Sequence, residues 1–243
     1  MEWSDEAVVI SVRPFGEHSA ILEALTRGHG RHLGLLRSAN SKQMRGMLEA
    51  GNNLTVLWRA RLDHQLGNFS IELSSARAAH FFEDGLKLAA LSSACALCSA
   101  TLPEREAHER VFAALDGLLQ LMTLVQSPDW VASYVRFEMV LLEDLGFGLD
   151  LGSCAVTGAR EGLGFVSPKS GRAVTKEGAG GYAHRLLVLP AFLAGASPHA
   201  DLADLTAGLA LTEHFLTRVL REAHRIELPQ ARRRFGERLS HRG

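Results

Sequence analysis

The sequence predicts an α+β chain in several parts: a five-stranded N-terminal β-barrel, an α-helical domain, and a small Gly-rich insert within it. Three observations carry this. Period-2 alternation fills the first 75 residues, Ala/Leu/Ser-rich helical stretches follow from residue 78, and ten of the 40 residues from 146 to 185 are glycine.

Each element has its own signal. Val8, Ile10 and Val12 alternate until Pro14-Phe15-Gly16 breaks the run. Ser19 to Leu25 is a second apolar run, closed by Arg27-Gly28-His29-Gly30, and Arg31 to Arg37 is a third. Leu54, Val56 and Trp58 alternate with Thr55, Leu57 and Arg59; Phe69, Ile71 and Leu73 alternate with Ser70, Glu72 and Ser74. Five short strands leave exposed edges unless they close, and a closed Greek-key barrel of this size is an OB-fold. Trp58 continues the Leu54–Val56 face and belongs to the core, with Arg59 on the opposite face. The connection 38–53, with Lys42 and Arg45, reads as a loop.

Residues 78–101 read as helix, and Pro103-Glu104 starts another with a Val111, Leu115, Leu118, Leu119, Met122 stripe. Ser127-Pro128 reads as an N-cap with Pro at the first helical position, opening a helix through Trp130, Tyr134, Phe137, Leu141 and Leu145. These three helices read as a bundle. Gly178-Ala-Gly-Gly reads as a loop, and a last amphipathic helix runs from Leu205 to about Arg225, before a basic tail at Arg232-Arg233-Arg234. The expected domains are 1–77, 78–147, an insert at 148–190, and 191–243.

Net charge is only −1, but it is segregated. Residues 27–61 hold seven bases and one acid; 81–150 hold 4 Lys+Arg against 11 Asp+Glu; 218–243 hold 8 against 3. Such asymmetry suggests a polyanion on one part of the chain and something else on another, against the alternative that long arginines merely solvate strands and a C-terminal helix. A composition 47% hydrophobic and 22% charged argues against disorder. The longest uncharged stretch, 88–103, is too short and too rich in Ser to span a bilayer, and the acidic first residues do not suit a secretory signal. The expectation is a cytoplasmic, reduced protein.

No motif points to catalysis or to a cofactor. HExxH, GxSxG and GxxxxGK[ST] are absent. Cys95-Ala-Leu-Cys98 lies in mid-helix, where two small thiols pack at i and i+3, and Cys154 stands alone in the insert, so no metal is expected.

The stretches Val12-Arg-Pro-Phe-Gly-Glu-His-Ser, Leu25-Thr-Arg-Gly-His-Gly-Arg and Leu57-Trp-Arg-Ala-Arg-Leu-Asp resemble the N-terminal barrel of the RecO family of recombination mediators. Tyr134-Val-Arg-Phe-Glu, Leu145-Gly-Phe-Gly-Leu-Asp-Leu, Cys154-Ala-Val-Thr-Gly and Phe165-Val-Ser-Pro-Lys-Ser-Gly resemble that family's helical domain and its zinc-finger-like insert. The resemblance implies binding of single- and double-stranded DNA and strand annealing. It also implies work with RecR and single-stranded DNA-binding protein to load RecA, and residence at the nucleoid. Some members hold zinc with two CxxC pairs in the insert, where this chain has one cysteine.

The expected phosphate contacts are Arg13, Arg27, Arg31, Arg37, Lys42, Arg45, Arg59 and Arg61, with Phe15 available for base stacking. Arg136 with Leu141 is the expected site for the acidic tail of single-stranded DNA-binding protein, against the alternative that Arg136 pairs with Glu143. Two other readings stay open: an adaptor whose barrel binds protein, and a metal-dependent nuclease using the acidic helices.

Overall fold

The computed structural model describes all residues except 38, 40, 63, 196–198, 242 and 243, with the backbone alone at 224. The chain forms two compact units: Met1–Leu124 with Pro229–Arg232, and Val125–Leu228 with Arg233–Gly243.

The first unit opens on β1 (Glu2–Phe15), β2 (Ser19–Thr26) and β3 (Gly30–Leu36), then a short helix α1 (Lys42–Met47), β4 (Asn53–Arg59) and β5 (Asn68–Ser75). The strands close into a barrel in the order β1-β2-β3-β5-β4. β1 serves two neighbours: Glu2 to Val8 pair with β4 and Ala7 to Phe15 pair with β2. A register shift between Val9 and Ser11 bends the strand between these tasks. The seam between β3 and β5 is the thinnest part, a parallel bridge of Leu35 with Asn68 and a 3.0 Å bond from the Leu35 amide to the Gly67 carbonyl. Inside, Ala7, Val9, Leu22, Leu54, Val56, Trp58 and Phe69 form the core. The alternation places Leu54, Val56, Trp58 and Phe69 there, but β1 turns Ala7 and Val9 inward, and Val8 and Ile10, which the alternation singles out, are buried on its other face. Burying each larger side chain there contributes about 1.5–3 kcal/mol.

The connection 38–53 is not all loop. Ser41 accepts a hydrogen bond from the Met44 amide at 3.1 Å, and this cap nucleates α1, which carries Lys42 and Arg45. After the barrel come α2 (Gly85–Thr101), capped by Asp84, and α3 (Glu109–Leu124). Cys95 and Cys98 are buried in mid-α2; burial pushes the Cys95 thiol up to about 12 and the Cys98 thiol well above its ordinary value. Both thiols pack as small apolar groups and are chemically quiet.

The second unit contains α4 (Trp130–Asp144), β6 (Leu163–Val166), β7 (Ala173–Thr175), α5 (Lys176–Ala179), β8 (Leu187–Val188) and α6 (Leu202–Val219). The last helix, α7 (Gln230–Ser240), follows in the chain. α4 packs against α6, and Trp130, Tyr134, Phe137, Leu141 and Phe215 are buried; Trp130 and Tyr134 meet the Phe235 ring of the last helix. Four local readings need correction. Pro103-Glu104 does not start a helix: Glu104 forms a bridge with Arg31, and α3 begins at Glu109. Ser127 does not cap α4: its hydroxyl donates to the Asp129 carboxylate at 2.7 Å, and the helix starts at Trp130 without a side-chain cap. α6 begins at Leu202 rather than Leu205 because Asp201 accepts the Asp204 amide at 2.8 Å. The Gly178–Gly181 stretch is helical, since Thr175 caps α5 by accepting the Gly178 amide at 3.0 Å.

The insert is a three-stranded sheet in the order β7-β6-β8 over a small core of Cys154, Val174 and Ala179. Among the described residues no helix is long and apolar enough to cross a membrane.

Candidate nucleic-acid interface

Register places the basic residues of the barrel. Asn68 pairs with both Leu35 and Arg59, so the ends of β3 and β4 lie side by side. Arg37, Arg59 and Arg61 therefore share one rim. Arg13 stands opposite Ile21, which in turn pairs with Leu35, so it belongs to the same band of rows. Arg13, Arg37, Lys42, Arg45 and Arg61 are exposed. Among the described residues Arg13, Arg37, Lys42 and Arg61 have no acidic partner within salt-bridge distance. Phe15 is 52% exposed at the β1–β2 turn.

Three expected contacts are otherwise engaged. Arg31 turns inward: it donates to Glu23 at 2.7 Å and to the Leu102 carbonyl at 2.7 Å, and its side chain is 15% exposed. It is a structural residue, and the sequence misassigned it because strand alternation does not show which carboxylate lies underneath. Arg27 lies over the Phe112 ring and donates to Glu6 at 2.8 Å; Arg59 donates to Glu2 at 2.8 and 3.0 Å. These last two pairs are open to solvent, so phosphate oxygens can replace the carboxylates.

Glu23 sits at the centre of the inward cluster. Burial raises its pKa, but hydrogen bonds from Ser11, Ser99 and Arg31 outweigh that and hold the carboxyl below its ordinary 4.5. Its contribution is present above that value and lost as pH falls through the depressed one. Arg31→Ala leaves Glu23 without its charge partner. We expect it to cost about 3 kcal/mol in urea unfolding while DNA affinity of the folded protein is unchanged. Loss of affinity at unchanged stability would return Arg31 to the interface.

The sequence missed an aromatic cavity of ≈ 690 Å³ at the rim, lined by Trp3, His29, His32, Trp58, His64 and Arg105 among others. Trp58 and Trp3 stack at 5.6 Å and 17°, and Trp3 and His29 stack at 4.0 Å and 6°. His32 meets Trp3, Trp58 and Phe69 edge-on. Trp58 donates to the Leu66 carbonyl at 3.0 Å, and Gly67 (φ +67°) is required beside it, because a Cβ there would fall 2.4 Å from the indole. Period-2 alternation located Trp58, but its ring partners come from β1 and β3, and only barrel closure brings them together.

His32 is 4% exposed and neither ring nitrogen has a hydrogen-bond partner among the described residues. Burial lowers its pKa to about 4, the Arg105 charge acts in the same direction, and the His29 backbone opposes without completing a hydrogen bond. The unfolded chain binds this proton below the ordinary 6.5 and the folded chain only near 4. Stability therefore falls as pH drops through that window, by about 2–3 kcal/mol from this group. His32→Phe should flatten the urea midpoint between pH 6.5 and 4; an unchanged slope would assign the dependence to another group.

In the second unit Arg136 is exposed. It makes no ion pair with Glu143; its guanidinium lies 5.3 Å over the Phe192 ring and donates to the Phe192 carbonyl at 3.4 Å. Leu141 is fully buried, so it supports the core below Arg136 and offers no surface to a peptide. The helical stripe that suggested it is the packing stripe.

Cys154 is shielded from solvent, and its sulfur is engaged by the Thr157 and Thr175 amides at 3.4 and 3.3 Å and by the Thr175 hydroxyl at 3.5 Å. The hydrogen bonds, led by Thr157, outweigh burial and bring the thiol down to about 6. Among the described residues no three His, Cys, Asp or Glu side chains converge on a metal position. One cysteine with an occupied sulfur does not fit the four-ligand zinc of a structural site. Metal analysis of purified protein should give well under one zinc per chain; stoichiometric zinc surviving dialysis would contradict this.

Barrel, helices and insert together define an α+β protein with an exposed cationic rim on its N-terminal barrel. Residues 1–77 match the family model for the recombination protein O N terminal, and residues 82–226 match that for its C terminal. A protein named DNA repair protein RecO from Rhodospirillum centenum is 50% identical over 98% of this chain and 94% of its own length. Proteins of the same name from Cereibacter sphaeroides and Sinorhizobium medicae are 46% and 44% identical, over 99% and 96% of this chain and 99% and 92% of theirs. The chain belongs to the recombination protein O family.

Proposed function

We propose that this chain acts in DNA repair as a recombination mediator without a catalytic step of its own. On this reading the barrel is an OB-fold that holds single- and double-stranded DNA by its phosphates. It promotes annealing by reducing repulsion between strands, and with RecR helps load RecA onto DNA coated by single-stranded DNA-binding protein. The observation that carries the reading is the set of exposed cations Arg13, Arg37, Lys42 and Arg61, with no acidic partner among the described residues, on one barrel of a family member. Phosphate contacts fix position and carry little sequence information, which suits a protein that must hold any two complementary strands. Mixing complementary strands labelled for energy transfer, with and without the protein, tests it. Annealing should accelerate with protein and lose that acceleration at high salt; a rate unchanged by protein favours the adaptor reading.

The acidic tail of single-stranded DNA-binding protein is proposed to dock at Arg136. The exposed guanidinium over Phe192 supports this, since it sets a carboxylate-gripping group on an apolar ring. Arg136→Ala should weaken tail-peptide binding in calorimetry by about 1.5–3 kcal/mol and leave DNA binding intact. Equal affinities in two folded proteins would make Arg136 structural.

A further inference from the structure

The three rings Trp58, Trp3 and His29 form a column that runs from the barrel core outward. Exposure grows along it: Trp58 is 2% exposed, Trp3 is half-buried, and the His29 side chain is 39% exposed. His29 is held in place by a 2.8 Å contact from Nδ1 to Asp5. The column therefore ends in a fixed ring, partly open, at a cavity of ≈ 690 Å³, within the ≈ 300–1,000 Å³ of small-ligand pockets. Two further features point to an occupant. His32 lines the cavity, and neither of its buried nitrogens has a hydrogen-bond partner among the described residues, a state that costs about 1–3 kcal/mol and that a ligand's polar edge relieves. Met1 and Glu2 line both this cavity and an adjoining depression that holds Arg59, Arg61 and Asn68, so an aromatic slot and a cationic groove are continuous.

We propose that this cavity takes one unpaired nucleobase of a single DNA strand, stacked on the Trp3–His29 column, with the strand's phosphates in the Arg59–Arg61 groove and near Arg105. The occupant fits on three counts. It is a flat ring that extends a stack, its edge carries donors and acceptors for His32, and it is joined to an anion that the neighbouring groove accepts. His32 stays neutral at pH 7 and meets the edge as an imidazole with one donor and one acceptor nitrogen. Trp58 has already given its N–H to Leu66, so it supplies surface alone. Duplex bases are stacked and paired and do not enter, so the site adds to single-strand binding only. The inference rests on the DNA-binding reading above and adds a discriminating site to it.

The test uses the full chain and a single-stranded thymidine oligonucleotide carrying 2-aminopurine at every third position. Binding is followed by anisotropy and base stacking by 2-aminopurine emission. Wild type should quench the emission on binding. His29→Ala and His32→Phe should abolish the quenching and weaken single-strand binding about 5-fold or more, the low end for loss of a base–aromatic stack, with duplex binding unchanged. His29→Ala removes a partly exposed ring end, and His32→Phe keeps an aromatic ring in the core; a cooperative melting transition well above the assay temperature confirms that each variant folds. Binding without quenching, or equal quenching in both folded variants, overturns the pocket and leaves the cationic rim standing. Absence of anisotropy change with either strand form overturns the DNA reading and this site together.

Discussion

Replacing Arg13, Arg37, Lys42 and Arg61 together with alanine should lower the slope of log affinity against log salt by about 2.8–3.6. Each lost phosphate contact removes roughly 0.7 on a single strand and 0.9 on a duplex. These four are chosen because each is exposed and has no acidic partner among the described residues. None supports the barrel core, so circular dichroism and the melting midpoint should stay within those of wild type. The loss should be uniform across sequences, because phosphate contacts do not read bases. Arg31→Ala is the internal control: removing one positive charge at a side chain tied to Glu23 and Leu102 should leave the slope unchanged, where loss of a single phosphate contact would lower it by about 0.7–0.9.

Gly30→Ala should cost at least about 3 kcal/mol and leave little folded protein at 37 °C. Gly30 sits at φ +66°, where a side chain alone costs roughly 1–2 kcal/mol, and a Cβ there would lie 1.7 Å from the Glu106 carbonyl oxygen. That contact is with backbone, so no rotamer relieves it. Gly16→Ala separates the two causes. Gly16 has φ +67° with nothing within 4 Å of its Cβ position, so it should show the conformational cost alone. Equal midpoints for the two variants would mean that Glu106 moves aside freely.

The barrel was legible in the sequence because its core faces alternate: Leu54, Val56 and Trp58 are 0%, 0% and 2% exposed, as the pattern required. α1 was not, because a six-residue helix leaves no periodicity and rests on one Ser41 cap. The insert was legible as Gly-rich ribbon, but its Thr175-capped turn was hidden inside Gly178-Ala-Gly-Gly. Charge segregation found the cationic rim, yet it did not distinguish Arg37, which faces solvent, from Arg31, which faces Glu23. Composition does not say which arginine meets which carboxylate. Leu141 shows the same limit from the apolar side: a stripe at helical spacing marks what is buried, and Leu141 is fully buried within it. The aromatic column was out of reach because Trp3 and Trp58 come from separate strands and His29 from the β2–β3 turn, and Trp3 meets Trp58 only when β1 pairs with β4.

The central claim is that the barrel of this recombination protein O family member holds DNA by its phosphates. A fluorescence anisotropy titration of the full chain with single- and double-stranded oligonucleotides at 50 and 200 mM salt, roughly the span over which phosphate contacts are screened, tests it most directly. With four or more such contacts, binding of both forms should weaken about a hundredfold between the two conditions. Affinity that is equal at both salts, or no binding of either form by the wild-type protein, would contradict it.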